Sequence, residues 1–164
     1  MMIKVIFAAL LPLCLLLSSC DSARLFEENK DLENYVWPEK VQPVFAFEIT
    51  DTTQAYDLFI NVRNASAYQL QNLYVRHILY APNGKELNRA LHNLYLSNPK
   101  TGEPKGSGMG DIWDHQIRFI RNVKFTAPGK YSVKFQQYMR LDPLPGIMSV
   151  GLRVAEAQVP EQPK

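Results

Sequence analysis

The chain has 164 residues, of which 46% are hydrophobic and 21% charged, and its formal net charge is +2. A balance so close to neutral, with no basic stripe or cluster, gives no footing for a nucleic-acid partner. Its two cysteines, Cys14 and Cys20, both fall in the first twenty residues. The chain beyond Cys20 carries no thiol, so a disulfide framework, a zinc-cysteine centre and a cysteine nucleophile are all excluded there.

Lys4 supplies a minimal positive region, and Val5 to Leu17 is an almost unbroken apolar run interrupted only by Pro12. A bilayer helix needs roughly 20 apolar residues, and this run is shorter. Leu17-Ser18-Ser19-Cys20 has the form of a bacterial lipobox. Residues 1–19 therefore read as a lipoprotein signal peptide cut between Ser19 and Cys20, with lipid on the Cys20 thiol. An uncleaved anchor helix, or a plain secretory signal followed by a coincidental cysteine, are the alternatives. Each buried acyl methylene contributes about 0.8 kcal/mol, so two or three chains on one cysteine make a lasting anchor. The predicted protein is tethered to a membrane rather than spanning it.

About 145 residues remain after the signal, enough for one domain with a sizeable interior. Residues 20–43 are polar and interrupted, with Glu27, Glu28, Asp31 and Glu33 followed by Tyr35-Val36-Trp37-Pro38 and Pro43. They read as a lipidated N-terminus and tether, extended to about Lys30, with the segment near Trp37 docked on the domain edge. Residues 44–156 form the predicted domain, and 157–164 a disordered tail.

Within that domain the apolar residues alternate with period two, the mark of half-buried strands. Phe45, Phe47 and Ile49 share one face of the first. Tyr56, Leu58, Ile60 and Val62 point inward on the second, with Asp57, Asn61 and Arg63 outward. Leu73, Val75, His77 and Leu79 line the third, which reads as covered on both faces. Asn83-Gly84 then signals a hairpin, because this pair tolerates positive φ. The following Lys85 to Leu91 reads as strand, although Leu87, Leu91 and Leu94 also fit helical spacing. Ile117, Phe119, Val123 and Phe125 alternate before a turn at Ala127 to Lys130, and Tyr131, Val133, Phe135 and Met139 continue beyond it. A turn at Asp142 to Gly146 leads into Met148, Val150, Leu152 and Val154. Seven or so strands without a convincing helix predict an all-β domain, an antiparallel two-sheet β-sandwich of Ig-like or jelly-roll-like type.

Ser97 to Gly110 is a long irregular stretch carrying Gly106, Gly108 and Gly110, and it ends in Asp111-Ile112-Trp113-Asp114. Long loops are often functional. Two aspartates fall short of the six to eight oxygens a calcium ion takes, and the glycines lack the flanking strand and helix of a phosphate loop. His77 fits a hydrogen-bonded core position. His92 and His115 lie far from it in sequence with no carboxylate at ligand spacing, and no serine sits in a nucleophile elbow. No catalytic residue, metal or cofactor is expected, and no small-molecule substrate is identified.

Several segments together carry a resemblance. They are the lipobox with Asp21-Ser22, Phe26 to Lys30, Tyr35-Val36-Trp37, Asp51-Thr52-Thr53, Asn61 to Asn64 and Pro82 to Lys85. The Gly106 to Ile112 glycine pattern, Met139 to Ile147 and Val150 to Arg153 complete the set. In this order and spacing, over nearly the whole chain, they resemble the gliding-motility lipoprotein GldH family of the Bacteroidetes. The resemblance implies a cell-envelope lipoprotein associated with the gliding and type IX secretion machinery. Its implied partners are the membrane and other envelope proteins of that machinery, its implied location the outer membrane facing the periplasm, and it implies no catalytic residues. The candidate contact surface combines Gly106, Gly108, Gly110, Asp111 and Trp113 with an Arg140/Asp142 pair, since aromatic and arginine anchors suit interfaces. A structural role for both turns is the plainer reading. A glycan-binding lipoprotein using Tyr74, Tyr80, Tyr95, Trp113 and Tyr138 is the rival function, while no acidic pair stands out as a glycosidase acid and base.

Overall fold

The computed structural model describes Asp21 and residues 23–157. The lipobox, the cleavage position, Cys20 and the tail from residue 158 lie outside the described residues.

Eleven strands run in order: β1 (Arg24–Asp31), β2 (Val36–Trp37), β3 (Val44–Ile49), β4 (Tyr56–Ala65), β5 (Asn72–Tyr80), β6 (Glu86–Tyr95), β7 (Ser107–Met109), β8 (Ile112–Val123), β9 (Gly129–Gln137), β10 (Leu144–Pro145) and β11 (Ile147–Glu156). The first sheet has the order β1-β11-β4-β8-β7 and the second β3-β9-β5-β6, with β10-β2 a small pair apart. All pairings are antiparallel. Among the long strands, every connection crosses from one sheet to the other except the β5–β6 hairpin. This is the jelly-roll form of the sandwich, in which paired Greek keys leave few free edges.

The alternating faces predicted for β3, β4 and β9 are the inner faces. Phe45, Phe47, Ile49, Leu58, Ile60, Val62, Val133 and Phe135 are all buried. Phe47 meets Phe125 at 5.9 Å and Tyr131 at 6.2 Å between ring centroids, and Phe26 of β1 reaches the same cluster. The choice at Lys85–Leu91 resolves to strand. Leu87 and Leu91 are half-exposed because they lie on the outside of an edge strand, whereas Leu94 is buried.

Several expectations are corrected. The stretch to Lys30, read as tether, is edge strand β1, paired with β11 from Arg24↔Ala155 to Asp31↔Ser149. Its outer face is as polar as a linker, so sequence alternation hides it. Lys30 then crosses to the second sheet, donating to the Val44 carbonyl at 2.6 Å above the Phe45 ring. Trp37, predicted at the domain edge, is wholly buried, with its indole N–H donating to the Val41 carbonyl at 2.8 Å. Met148 does not take the inward position its spacing predicts. A bulge between Ile147 and Ser149 makes it the unpaired residue, so Ile147 fills the inner position. Asp57, predicted outside, is buried for a similar reason. Bulges in β8 bring Arg118 Nη1 to one carboxylate oxygen at 2.6 Å and the Asn122 backbone N–H to the other at 2.9 Å.

Candidate functional site

The two segments singled out in sequence meet at one end of the sandwich, on either side of the end of β4. The Ala65 amide donates to the Gly146 carbonyl at 2.9 Å, and the Ser66 amide donates to the Asp111 carbonyl at 2.8 Å. Trp113, half-buried, donates from its indole nitrogen to Ser66 Oγ at 3.0 Å. Residues far apart in the chain are thereby fixed to one short stretch after β4.

The stretch predicted to lack structure has a good deal. Asn98 and Glu103 close a small turn through a backbone bond of 2.8 Å, and β7 pairs with β8 from Ser107↔Asp114 to Met109↔Ile112. The glycines are fixed rather than slack. A Cβ on Gly108 would run into the Trp113 ring, and one on Gly106 would meet His115 Cε1 at 2.8 Å. Gly110 turns the hairpin at φ +64, a conformation side chains rarely adopt. The missing signal is physical: β7 is solvent-exposed and glycine-bearing, so only backbone pairing defines it.

Arg140 and Asp142 do not pair with each other among the described residues. Asp142 Oδ1 accepts from the Glu39 backbone N–H at 2.8 Å, tying the turn to the segment after Trp37. Gln137 braces the same turn, accepting from the Met139 N–H at 2.8 Å and donating to the Leu141 carbonyl at 3.3 Å. Arg140 is left exposed beside Leu70, Tyr74, Leu91, Tyr138 and Leu141, around a hollow of about 580 Å³. Leu70 also borders the hollow beneath Trp113, so the two anchors flank one apolar residue. Met109, 89% exposed, projects from the tip of the β7–β8 hairpin at the same end.

Histidine contacts escaped the sequence. His77 Nδ1 lies 2.7 Å from His92 Nε2, and His77 Nε2 lies 2.8 Å from Asn88 Oδ1. The rings stack at 4.9 Å, with Phe119 of the opposite sheet against both. Pairing β5 with β6 puts Ala90 opposite His77 and His92 opposite Val75, a register no linear spacing reveals. Burial pushes the His77 imidazole down from 6.5 to about 4, with His92 acting in the same direction and Asn88 opposing. Burial lowers His92 as well. His115 bonds to Asn64 at 2.9 Å in the interior. Among the described residues no three His, Cys, Asp or Glu side chains converge to hold a metal ion.

Tyr74, Tyr80, Tyr95 and Tyr138 lie on the outer face of the second sheet or at its end, but not as a platform. Arg76 covers Tyr138 at 4.1 Å, Lys134 lies over Tyr80 at 5.7 Å and Lys105 over Tyr95 at 5.5 Å. These cations occupy ring faces that a stacked sugar would need.

The described residues thus form a jelly-roll β-sandwich with a braced rim at one end and a buried imidazole pair between its sheets. No helix among them is long and apolar enough to cross a membrane. The chain belongs to the GldH lipoprotein family, whose pattern matches residues 24–154. It is 34% identical over 150 residues to a gliding motility lipoprotein GldH homolog from Christiangramia forsetii, covering 87% of this chain and 90% of that one. It is 31% identical over 154 residues to gliding motility lipoprotein GldH of Flavobacterium johnsoniae, covering 90% and 94%. Among solved structures, a chain of the infectious bursal disease virus Gt strain matches 86% of this chain and 33% of its own, at 12% identity and a TM-score of 0.40. A likeness that low carries no functional weight.

Proposed function

We infer that the protein is a non-catalytic assembly or interaction component of the envelope machinery for gliding motility and type IX secretion. Lipid on Cys20 anchors it, and it sits at the outer membrane facing the periplasm among other proteins of that machinery. Its contact surface is the rim holding Gly106, Gly108, Gly110, Asp111, Trp113, Arg140 and Asp142. The observation that supports this most is position. Arg24, four residues after Cys20 in sequence, pairs with Ala155, and the rim lies at the opposite end of the same sheet, where Asn64 pairs with Trp113 and Ile147. The two relatives are both named for gliding motility, and their names carry no catalytic activity.

The test is a gene deletion complemented with wild type, with Cys20→Ala, or with Trp113→Ala combined with Arg140→Ala. Mass spectrometry of the culture medium, colony spreading and immunoblots of abundance are the readouts. Expected is loss of type IX cargo and spreading in the deletion, restored only by wild type, with the rim variant at normal abundance. Normal secretion and spreading in the deletion would overturn the reading. Loss of the rim variant from the cell would make both turns purely structural.

A further inference from the structure

The outer face of the first sheet carries a trough of about 390 Å³, which adjoins the rim at Ser107 and Asp114. On β11 it opens at Ser149, with the Asn29 amide lying over Gly151, and longer side chains rise from β1 on one side and from β4 and β8 on the other. Asn29, Gly151, Asn61 and Gln116 stand in one row across the four strands. Asp31, Ser149, Arg63, Asp114 and Ser107 form the next row.

These side chains hold one another still. Asn61 Nδ2 donates to Glu27 Oε1 at 2.8 Å and to Asn29 Oδ1 at 3.2 Å, and Gln116 Nε2 donates to Asn61 Oδ1 at 3.1 Å and Glu27 Oε1 at 3.3 Å. Arg63 grips Asp114 through two bonds of 2.7 and 3.2 Å, and Arg153 reaches Glu27 at 3.1 Å. Two of the three carboxylates are therefore matched by guanidinium groups, and among the described residues Asp31 makes no contact ion pair, its charge acting on Arg63 from a distance. With three carboxylates against two guanidinium groups the trough carries little net charge and gives neither a polyanion nor a cation a strong pull.

The network leaves a mixed set of capacity. Among the described residues, Asn29 Nδ2, Gln116 Oε1, Asp31 and the hydroxyls of Ser107 and Ser149 have no side-chain partner of their own. Donors and acceptors are spread across the strands, about 14–19 Å from β1 to β8 and β7 at about 4.8 Å per strand, in a concavity at the small end of ligand sites. A ligand that answers both kinds at once is one dense in hydroxyl groups.

We propose that this trough binds an uncharged carbohydrate. The proposal does not rest on the lipid anchor or on the proposed rim contact, although the trough shares the β7 segment at Ser107 with that rim. Binding is weak, because no Phe, Tyr or Trp lines the site to add stacking.

The test is calorimetric titration of the purified full-length lipoprotein, in the sugar-free detergent lauryldimethylamine oxide, with cellotriose, maltotriose and N,N′,N″-triacetylchitotriose. Expected is saturable binding of at least one trisaccharide, weakened tenfold or more by Gln116→Ala and by Ser107→Tyr, and unchanged by Tyr138→Ala. Ser107 is exposed at the trough edge, so its tyrosine fills the space without cutting a bond should Gln116→Ala fail to fold. No saturable binding of any of the three overturns the proposal. So does binding that survives both trough variants, and loss of binding in Tyr138→Ala alone would place the sugar on the opposite face.

Discussion

The His77–His92 contact makes the domain weaken in acid by an amount that can be worked out. With Asn88 Oδ1 accepting from His77 Nε2, a neutral His77 accepts at Nδ1 from His92 Nε2, and the 2.7 Å contact has room for one proton between the two rings. A proton on His77 Nδ1 would face the His92 donor at 2.7 Å in a buried site. The folded state therefore binds this proton only near pH 4, while the unfolded chain takes it up near 6.5. The unfolded state binds more protons across that window, so stability is full above pH 6.5 and falls as pH drops toward 4. At 1.36 kcal/mol for each tenfold difference in proton affinity, the loss from pH 7 to pH 4.5 is about 2 kcal/mol from His77. The lowered His92 contributes in the same direction. Against a typical stability of about 5–15 kcal/mol, this is readily measured. Urea unfolding of wild type and His77→Gln at both pH values is the assay. The surface carboxylates act alike in both proteins and cancel in the difference. Wild type should lose about 2 kcal/mol more than the variant over that interval. Equal losses would show that the buried imidazole pair is not held in its neutral form.

Gly151→Ala should destabilise by about 1–3 kcal/mol, the usual range for overpacking, because the new Cβ would meet the Glu28 carbonyl at 2.6 Å and the Asn29 amide still closer. Hydrogen exchange should report the loss first in β1, and an unaltered melting temperature would contradict it. Trp37→Ala should cost about 3–5 kcal/mol in urea unfolding, as for other wholly buried aromatics, and a loss below about 1 kcal/mol would mean that the N-terminal segment is peripheral after all. Asp57→Ala should cost about 1–3 kcal/mol by leaving the Asn122 N–H and Arg118 without their acceptor. If Arg118→Ala alone matched it, the backbone bond to the β8 bulge would be idle.

Those parts of the fold are legible in sequence where one face of a strand is apolar and the other polar. β3, β4 and β9 show themselves for that reason, and Asn83-Gly84 announces the β5–β6 hairpin, with Gly84 at φ +80. β1 and β7 do not, since an edge strand under a polar sheet face has little alternation to display. The bulges at Met148 and in β8 are equally hidden, because an extra residue leaves composition unchanged while reversing which side chains point inward. At the candidate rim, the residues can be found but not their partners: Asp142 turns to Glu39 rather than Arg140. The imidazole pair and the polar trough depend on cross-strand register, which emerges only when β5 meets β6 and β11 meets β4.

Edge strand β1 also has a mechanical meaning. Arg24 lies four residues beyond Cys20, a reach of at most about 14 Å, so a lipid there would hold the sandwich almost against the bilayer. A partner pulling on the far rim would load β1 along its own axis, against β11. The hydrogen bonds between antiparallel strands run across that axis, and the register from Arg24 to Asp31 would share the load in shear instead of opening one bond at a time. A force passed between a membrane and moving machinery would thus meet this domain in the direction in which a β ladder yields last.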